Sequence, residues 1–131
     1  SSTSNGISVG VLTATTGNFS GIITSSGANI SGVVTATDFN SASDIRLKNN
    51  INIIDKPLDK VLKLEGVNFE WKNNGKKSLG VIAQEVEKIL PELVSGEENK
   101  TVNYNGLVGL LIECVKEQQK EIEELKKNIN K

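Results

Sequence analysis

The chain reads as an α+β protein in three parts: an N-terminal β-stalk, a small α+β cap and a C-terminal coiled-coil helix. Three features predict this. Charge changes abruptly, since Asp38 is the only charged residue before Asp44 in a chain of 131 residues. A short motif recurs every 11 residues before that boundary, and apolar residues near the C-terminus keep a heptad spacing. The formal net charge of −1 offers no basic field for nucleic acid or an anionic membrane, so neither is an expected partner. The longest apolar run, residues 107–112, is far too short to span a bilayer, and no signal peptide opens the sequence. With no histidine and one cysteine, a histidine-based triad, a Cys/His zinc site and an internal disulfide are excluded. Catalysis therefore has to rest on Ser, Thr, Lys, Asp, Glu, Tyr or the single thiol. Aromatic content of 4% is thin for a self-sufficient core and points to burial between subunits.

The stalk expectation comes from the repeat. Gly10-Val11-Leu12-Thr13-Ala14-Thr15 returns as Gly21-Ile22-Ile23-Thr24-Ser25-Ser26 and as Gly32-Val33-Val34-Thr35-Ala36-Thr37, with Asn18, Asn29 and Asn40 in one phase. Each unit reads as a short β-branched strand, a Gly/polar turn and one further apolar residue. Such units cannot bury an apolar face alone and have to stack. Eleven residues are too few for a closed rung of a single-chain solenoid, but they suit one face of a three-chain β-prism or triple β-helix. A Ser/Thr/Gly linker is the alternative, and the strict phase of the Val/Ile/Leu pairs argues against it. The next glycine of the series would fall at position 43, where Ser43 stands instead.

The cap, residues 44–104, follows. Residues 50–54 read as a short strand or turn, and Asp55-Lys56-Pro57 starts a helix that carries Leu58, Val61, Leu62 and Leu64 on one stripe. Residues 67–71 alternate as a half-buried strand, with Trp71 read as core; Asn73-Asn74-Gly75-Lys76-Lys77 is a hairpin turn and residues 78–82 the partner strand. Val81, Val86, Ile89 and Leu90 mark a second short helix stopped by Pro91, and residues 93–94 and 101–104 form another hairpin. From residue 105 the terminal helix begins. Val108, Leu111, Val115, Gln118, Ile122, Leu125 and Ile129 alternate at heptad positions a and d, flanked by Glu and Lys from Lys116 onward. About three heptads are marginal alone, so the helix is expected to lean on partner copies, although it could instead pack on its own domain. Gln118 supplies a polar layer, and Cys114 falls on a flank as a small, partly buried apolar residue.

The candidate chemistry lies at the boundary, in Ser43-Asp44-Ile45-Arg46-Leu47-Lys48-Asn49-Asn50-Ile51. A serine and a lysine five residues apart mean little by themselves. Here they sit where a cut would separate stalk from cap. A Ser–Lys dyad needs a neutral amine to take the hydroxyl proton. Burial and a nearby cation such as Arg46 favour that state, whereas Asp44 opposes it. In a strand, residues five apart point to opposite faces, and in a helix they lie about 140° apart. Ser43 and Lys48 can therefore meet only across a sharp turn, or if the lysine comes from a neighbouring chain. Either route ties cleavage to completed folding or assembly. Read blandly, Arg46 and Lys48 are solvated charges and Ser43 ends a strand.

The same segment resembles the opening of the intramolecular chaperone domain of phage tail spikes and fibres, the Peptidase_S74 family, shared by endosialidase tail spikes, neck-appendage proteins and a membrane-bound myelin transcription factor. A second likeness is Leu79-Gly80-Val81-Ile82-Ala83-Gln84-Glu85-Val86-Glu87-Lys88-Ile89-Leu90-Pro91-Glu92-Leu93-Val94, and a third is Val102-Asn103-Tyr104 leading into the terminal helix. The resemblance implies a homotrimer whose cap aligns three chains, folds the upstream β-stalk as its client, and then cleaves itself off. It implies a stalk that ends in the virion tail and a cap that acts in the host cytoplasm, with no cofactor and no metal. Carried over by position, Ser43 is the essential serine, Lys48 its base, and the bond between Ser43 and Asp44 the cleavage site; Arg46 and Glu85 are possible supporting residues, Glu85 more as a buttress than a reactant. An N→O acyl shift through Ser43 would break the Ala42–Ser43 bond instead. A structural trimer tip that stays attached is the first rival. A glycan-binding tip has only Trp71 to offer, and a transcription factor would need a DNA-binding domain and an anchor that residues 1–42 do not supply.

Overall fold

The computed structural model describes residues 9–131, and the chain divides into two units, Ser1–Ser43 and Asp44–Lys131. In the first unit, residues 9–43 form no strand and all are exposed. Their backbone still bends with the period of the sequence repeat, at Gly10, Gly21 and Gly32 and again at Thr15, Ser26 and Thr37. The β-branched positions after each glycine lie open: Val11, Ile22 and Val33 are 85, 96 and 82% exposed. The strands expected for the repeat are therefore not formed within one chain. Among the described residues, these short apolar runs separated by bends pair with no strand to complete a ladder.

The second unit is α+β. Its elements are α1 (Pro57–Val61), β1 (Val67–Glu70), β2 (Lys77–Gly80), α2 (Ala83–Glu87), β3 (Val94–Ser95), β4 (Thr101–Val102) and α3 (Tyr104–Ile129), with 3₁₀ turns at Ile45–Leu47 and Pro91–Leu93. β1 pairs antiparallel with β2, and β3 with β4, so two small hairpins stand beside one long helix. The first hairpin closes on Gly75, whose φ of 68° few side chains tolerate; its N–H donates to the Trp71 carbonyl at 2.7 Å. Asn103 caps α3, its side chain accepting the Asn105 N–H at 3.1 Å.

Four side chains form the core: Val86 on α2, Leu90 just after it, and Leu110 and Cys114 on α3. Ile54, Leu58, Val61, Leu64, Val81 and Leu107 pack around them. Close approach of α3 depends on Gly106, because a β-carbon there would lie only 2.1 Å from a Leu93 methyl. Tyr104 ties the start of α3 to the first hairpin, its hydroxyl accepting the Val81 N–H at 3.2 Å.

Several sequence expectations are corrected here. Leu62 caps the end of α1 and is 79% exposed, so the buried stripe is Leu58, Val61 and Leu64. Residues 50–54 join no strand; Asn50 turns left-handed at φ 52°, which breaks extended pairing. Pro91 does not simply stop α2 but opens a 3₁₀ turn of its own. Trp71 is 54% exposed rather than core, because the hairpin has two strands and no layer over its tip. On α3 the heptad residues and the buried residues part company. Leu110 falls at heptad position c and Cys114 at the flanking g, and both are buried, while every apolar a and d residue from Val108 to Ile129 is exposed. The helix does pack on its own domain, but with a different face.

Glu117 shows why that face is used. α1 begins after Lys56, which offers no side-chain cap, and Pro57 has no N–H, so the Leu58 N–H is the first donor needing a partner. The Glu117 carboxylate reaches across from α3 and accepts it at 3.2 Å. Glu117→Ala strands that half-buried donor and should cost about 1–2 kcal/mol, read as a lower urea midpoint for the full chain. An unchanged midpoint would mean that water replaces the carboxylate without loss.

Candidate functional site

Asp44 and Arg46 build the local geometry at the boundary. Asp44 is the cap of the 3₁₀ turn Ile45–Leu47, its Oδ1 accepting the Arg46 backbone N–H at 2.8 Å. The Arg46 guanidinium folds back on the same carboxylate, Nε to Oδ1 at 3.0 Å and Nη2 to Oδ2 at 2.8 Å. Such a bidentate grip needs arginine's planar fork. The turn closes through two backbone bonds, Leu47 N–H to the Asp44 carbonyl at 3.0 Å and Lys48 N–H to the Ile45 carbonyl at 3.1 Å. Ser43, the last residue of the first unit, and Lys48, in the second, are both exposed. A sharp turn thus stands between them along the chain.

The electrostatics follow from the pair. The Arg46 side chain, and then its backbone N–H, hold the Asp44 carboxyl below its ordinary value of 3.8. Asp44 in turn neutralises the one guanidinium expected to favour an uncharged Lys48. A carboxylate whose folded pKa is depressed stabilises its turn fully above the ordinary value and loses that stabilisation as pH falls through the depressed one. Acidification below pH 3.8 should therefore open the turn. Side-chain NMR titration of Asp44 is expected to give a midpoint under that value, moving up toward it in Arg46→Ala, where the backbone N–H still holds Oδ1; an ordinary midpoint in the wild type would refute the bidentate pair.

Glu85 stands in the first turn of α2, where its two oxygens accept from the Lys88 ammonium at 3.0 and 3.1 Å, a local pair on an exposed helix face. Gln84 is exposed beside it. Cys114 is buried, and desolvation first, then the Glu117 charge, push its thiol up, which keeps it protonated. Sequence reasoning missed Tyr104 and Glu117, whose long-range hydrogen bonds hold the hairpin and α1 to α3. Neither partner can be read from helix spacing, because Val81 and Leu58 lie on other segments.

Comparison with known proteins places these residues in a family. Residues 43–95 match the Peptidase_S74 profile, described as the chaperone of endosialidase, so the match opens on Ser43 and takes in both 3₁₀ turns, α1, the first hairpin, α2 with Glu85, and β3, while β4 lies past its end. α3 lies beyond it. The long tail fiber protein Gp37 of Salmonella phage S16 is 34% identical over 105 residues, 70% of this chain and 14% of that protein. The Gp37 proteins of Enterobacteria phages K3 and T2 are each 35% identical over 98 residues, 66% of this chain and 8 and 7% of theirs. The chain therefore spans a small part of the length of these relatives. Residues 43–95, with the boundary serine, the turn behind it and the helices and hairpin that follow, thus match the Peptidase_S74 family, the chaperone of endosialidase.

Proposed function

We propose that this chain is the end of a phage tail fibre or spike, in which residues 44–131 hold three copies in register while the upstream stalk folds, and then release themselves by autoproteolysis between Ser43 and Asp44. The observation that carries the chaperone reading is the family match that starts on Ser43, the last residue of the uncharged repeat. The open heptad face of α3 supports three-chain assembly, and the unpaired β-branched runs before Ser43 are the client such an assembly would fold. Long-range pairing between chains is slow and exposes strand edges, and a cap that gathers three chains raises their effective concentration. Removing the cap afterwards makes the folded stalk kinetically stable, since parted chains can no longer be brought back into register.

In the cleavage step the Lys48 amine, acting as the base, takes the Ser43 hydroxyl proton. Hydrolysis consumes one water: its hydroxyl ends on the acyl carbon, and the amide nitrogen leaves with the proton that Lys48 returns. Attack of Ser43 Oγ on its own carbonyl would need a four-membered ring. The serine of one chain acting on the bond of another avoids it, as does an N→O shift that cuts before Ser43. Asp44 and Arg46 hold the turn in this reading, and Glu85 buttresses α2.

Intact mass of the purified chain, beside Ser43→Ala and Lys48→Ala, tests the proposal. The wild type should split into residues 1–43 and 44–131, while both variants stay whole and keep the same assembly mass by light scattering. A fragment one serine shorter would identify the N→O route. The second reading, a structural tip that stays attached, is favoured by the relatives being named as fibre proteins. An intact, assembled wild type after long incubation would establish it and end the catalytic assignment.

A further inference from the structure

The heptad series of α3 does not stop at Val108. Tyr104 is four residues before Val108 and seven before Leu111, which makes it the d position that opens the same series, one turn away on the same helix face. Its ring is 52% exposed although its hydroxyl is held by the Val81 N–H. Tyr104 also lines an open groove with Phe69, Trp71, Ile82 and Val102. Strand register places Phe69 and Trp71 on the hairpin face that carries Ser78 and Gly80, and the Tyr104 hydroxyl lies against Gly80. Phe69 and Trp71 meet edge to face with ring centroids 5.0 Å apart, so the wall of the groove is a built aromatic pair. Leu79, which register places on the opposite hairpin face and which is 74% exposed, also borders the groove.

We infer that the α3 seam and this aromatic groove are one continuous self-association surface, and that the occupant of the groove is a second copy of this chain. This deepens the assembly reading above and rests on it. Tyr104 belongs to both surfaces, so copies that pack along Val108, Leu111 and Val115 bring their neighbours to the mouth of the groove at the first helical turn. Exposed aromatic and aliphatic side chains contiguous with a helix seam are where association energy concentrates. The inference also accounts for Trp71, the one indole of the chain, standing 54% exposed on a cap that has few aromatics to spare.

That single indole reports on the groove directly. Acrylamide quenching and the emission maximum of the full chain are measured against concentration, with light scattering on the same samples. As the mass rises to that of the assembly, Trp71 emission should shift to the blue and quenching should fall severalfold; Val115→Asp with Ile122→Asp should remain monomeric and show the quenched, red-shifted indole at every concentration. Trp71→Ala should raise the concentration at which the assembly dissociates by about tenfold or more. An assembly that forms while Trp71 stays as quenched as in the monomer overturns the groove and leaves the seam intact. Protection that vanishes when residues 1–43 are released, at constant assembly number, overturns it too, because that segment is then the occupant. A chain that is monomeric throughout removes the assembly reading, and this inference with it.

Discussion

Leu110→Ala should unfold the cap more readily than any other single truncation. Leu110 is 2% exposed and clusters with Val86, Leu90 and Cys114 in a small core. The side chains packed on that core come from α1, from α2 and the segment after it, and from the second hairpin, so no single element can close over the gap. Truncating a buried leucine removes transfer free energy and leaves a cavity, at a cost of about 3–5 kcal/mol. A domain of this size holds on the order of 5–10 kcal/mol in total. Urea unfolding of the full chain, followed by far-UV circular dichroism, should therefore show the midpoint falling by about a third or more. A shift under about 1 kcal/mol would mean that α3 does not anchor the cap through this face.

Val115→Asp combined with Ile122→Asp should do the reverse. Val115 is 64% and Ile122 44% exposed, and neither is part of the core cluster. Charges placed there cost a single folded chain little, since surface substitutions away from special features lie within about 0.5 kcal/mol. Placed in a seam between copies, each buried and unpaired carboxylate costs several kcal/mol, enough to weaken association by at least about a thousandfold. Light scattering should then report a monomer whose cap still unfolds cooperatively in urea, at a midpoint below the wild type's only by what association adds. Helicity should fall as well, because residues 118–129 are exposed on every side and a bare helix of that length is marginal in water. A variant that still assembles would move the interface off the heptad. One helix thus carries two faces, and the two variants separate them: the first costs the fold and the second costs the assembly.

Much of the boundary site was legible before any coordinate. The segment from Ser43 to Ile51 and the run from Leu79 to Val94 carry the family's pattern, and the profile match spans both. The Asp44–Arg46 grip was not legible. Sequence reasoning set the two residues against each other as opposing influences on Lys48, whereas a 3₁₀ turn folds Arg46 back onto the carboxylate two residues before it. Which charge meets which depends on the handedness and pitch of three residues, and that is decided by backbone hydrogen bonds invisible in composition.

The sequence by itself determined the periods of this protein. The 11-residue recurrence appears as bends at Gly10, Gly21 and Gly32, the hairpin forms around Gly75, and α3 runs from its Asn103 cap through every heptad residue to Ile129. Period, cap and turn residues act within a few positions of one another, so local chemistry is enough to set them. Only the tertiary structure decided which apolar residues go inside. Leu110 and Cys114 are buried because Leu58, Val86 and Leu90 meet them from segments 20 or more residues away, and Val108, Leu111 and Trp71 stay out because nothing within residues 44–131 closes over them. An apolar stripe on a helix specifies that something must cover it, whereas the identity of the cover is a property of the whole packed arrangement.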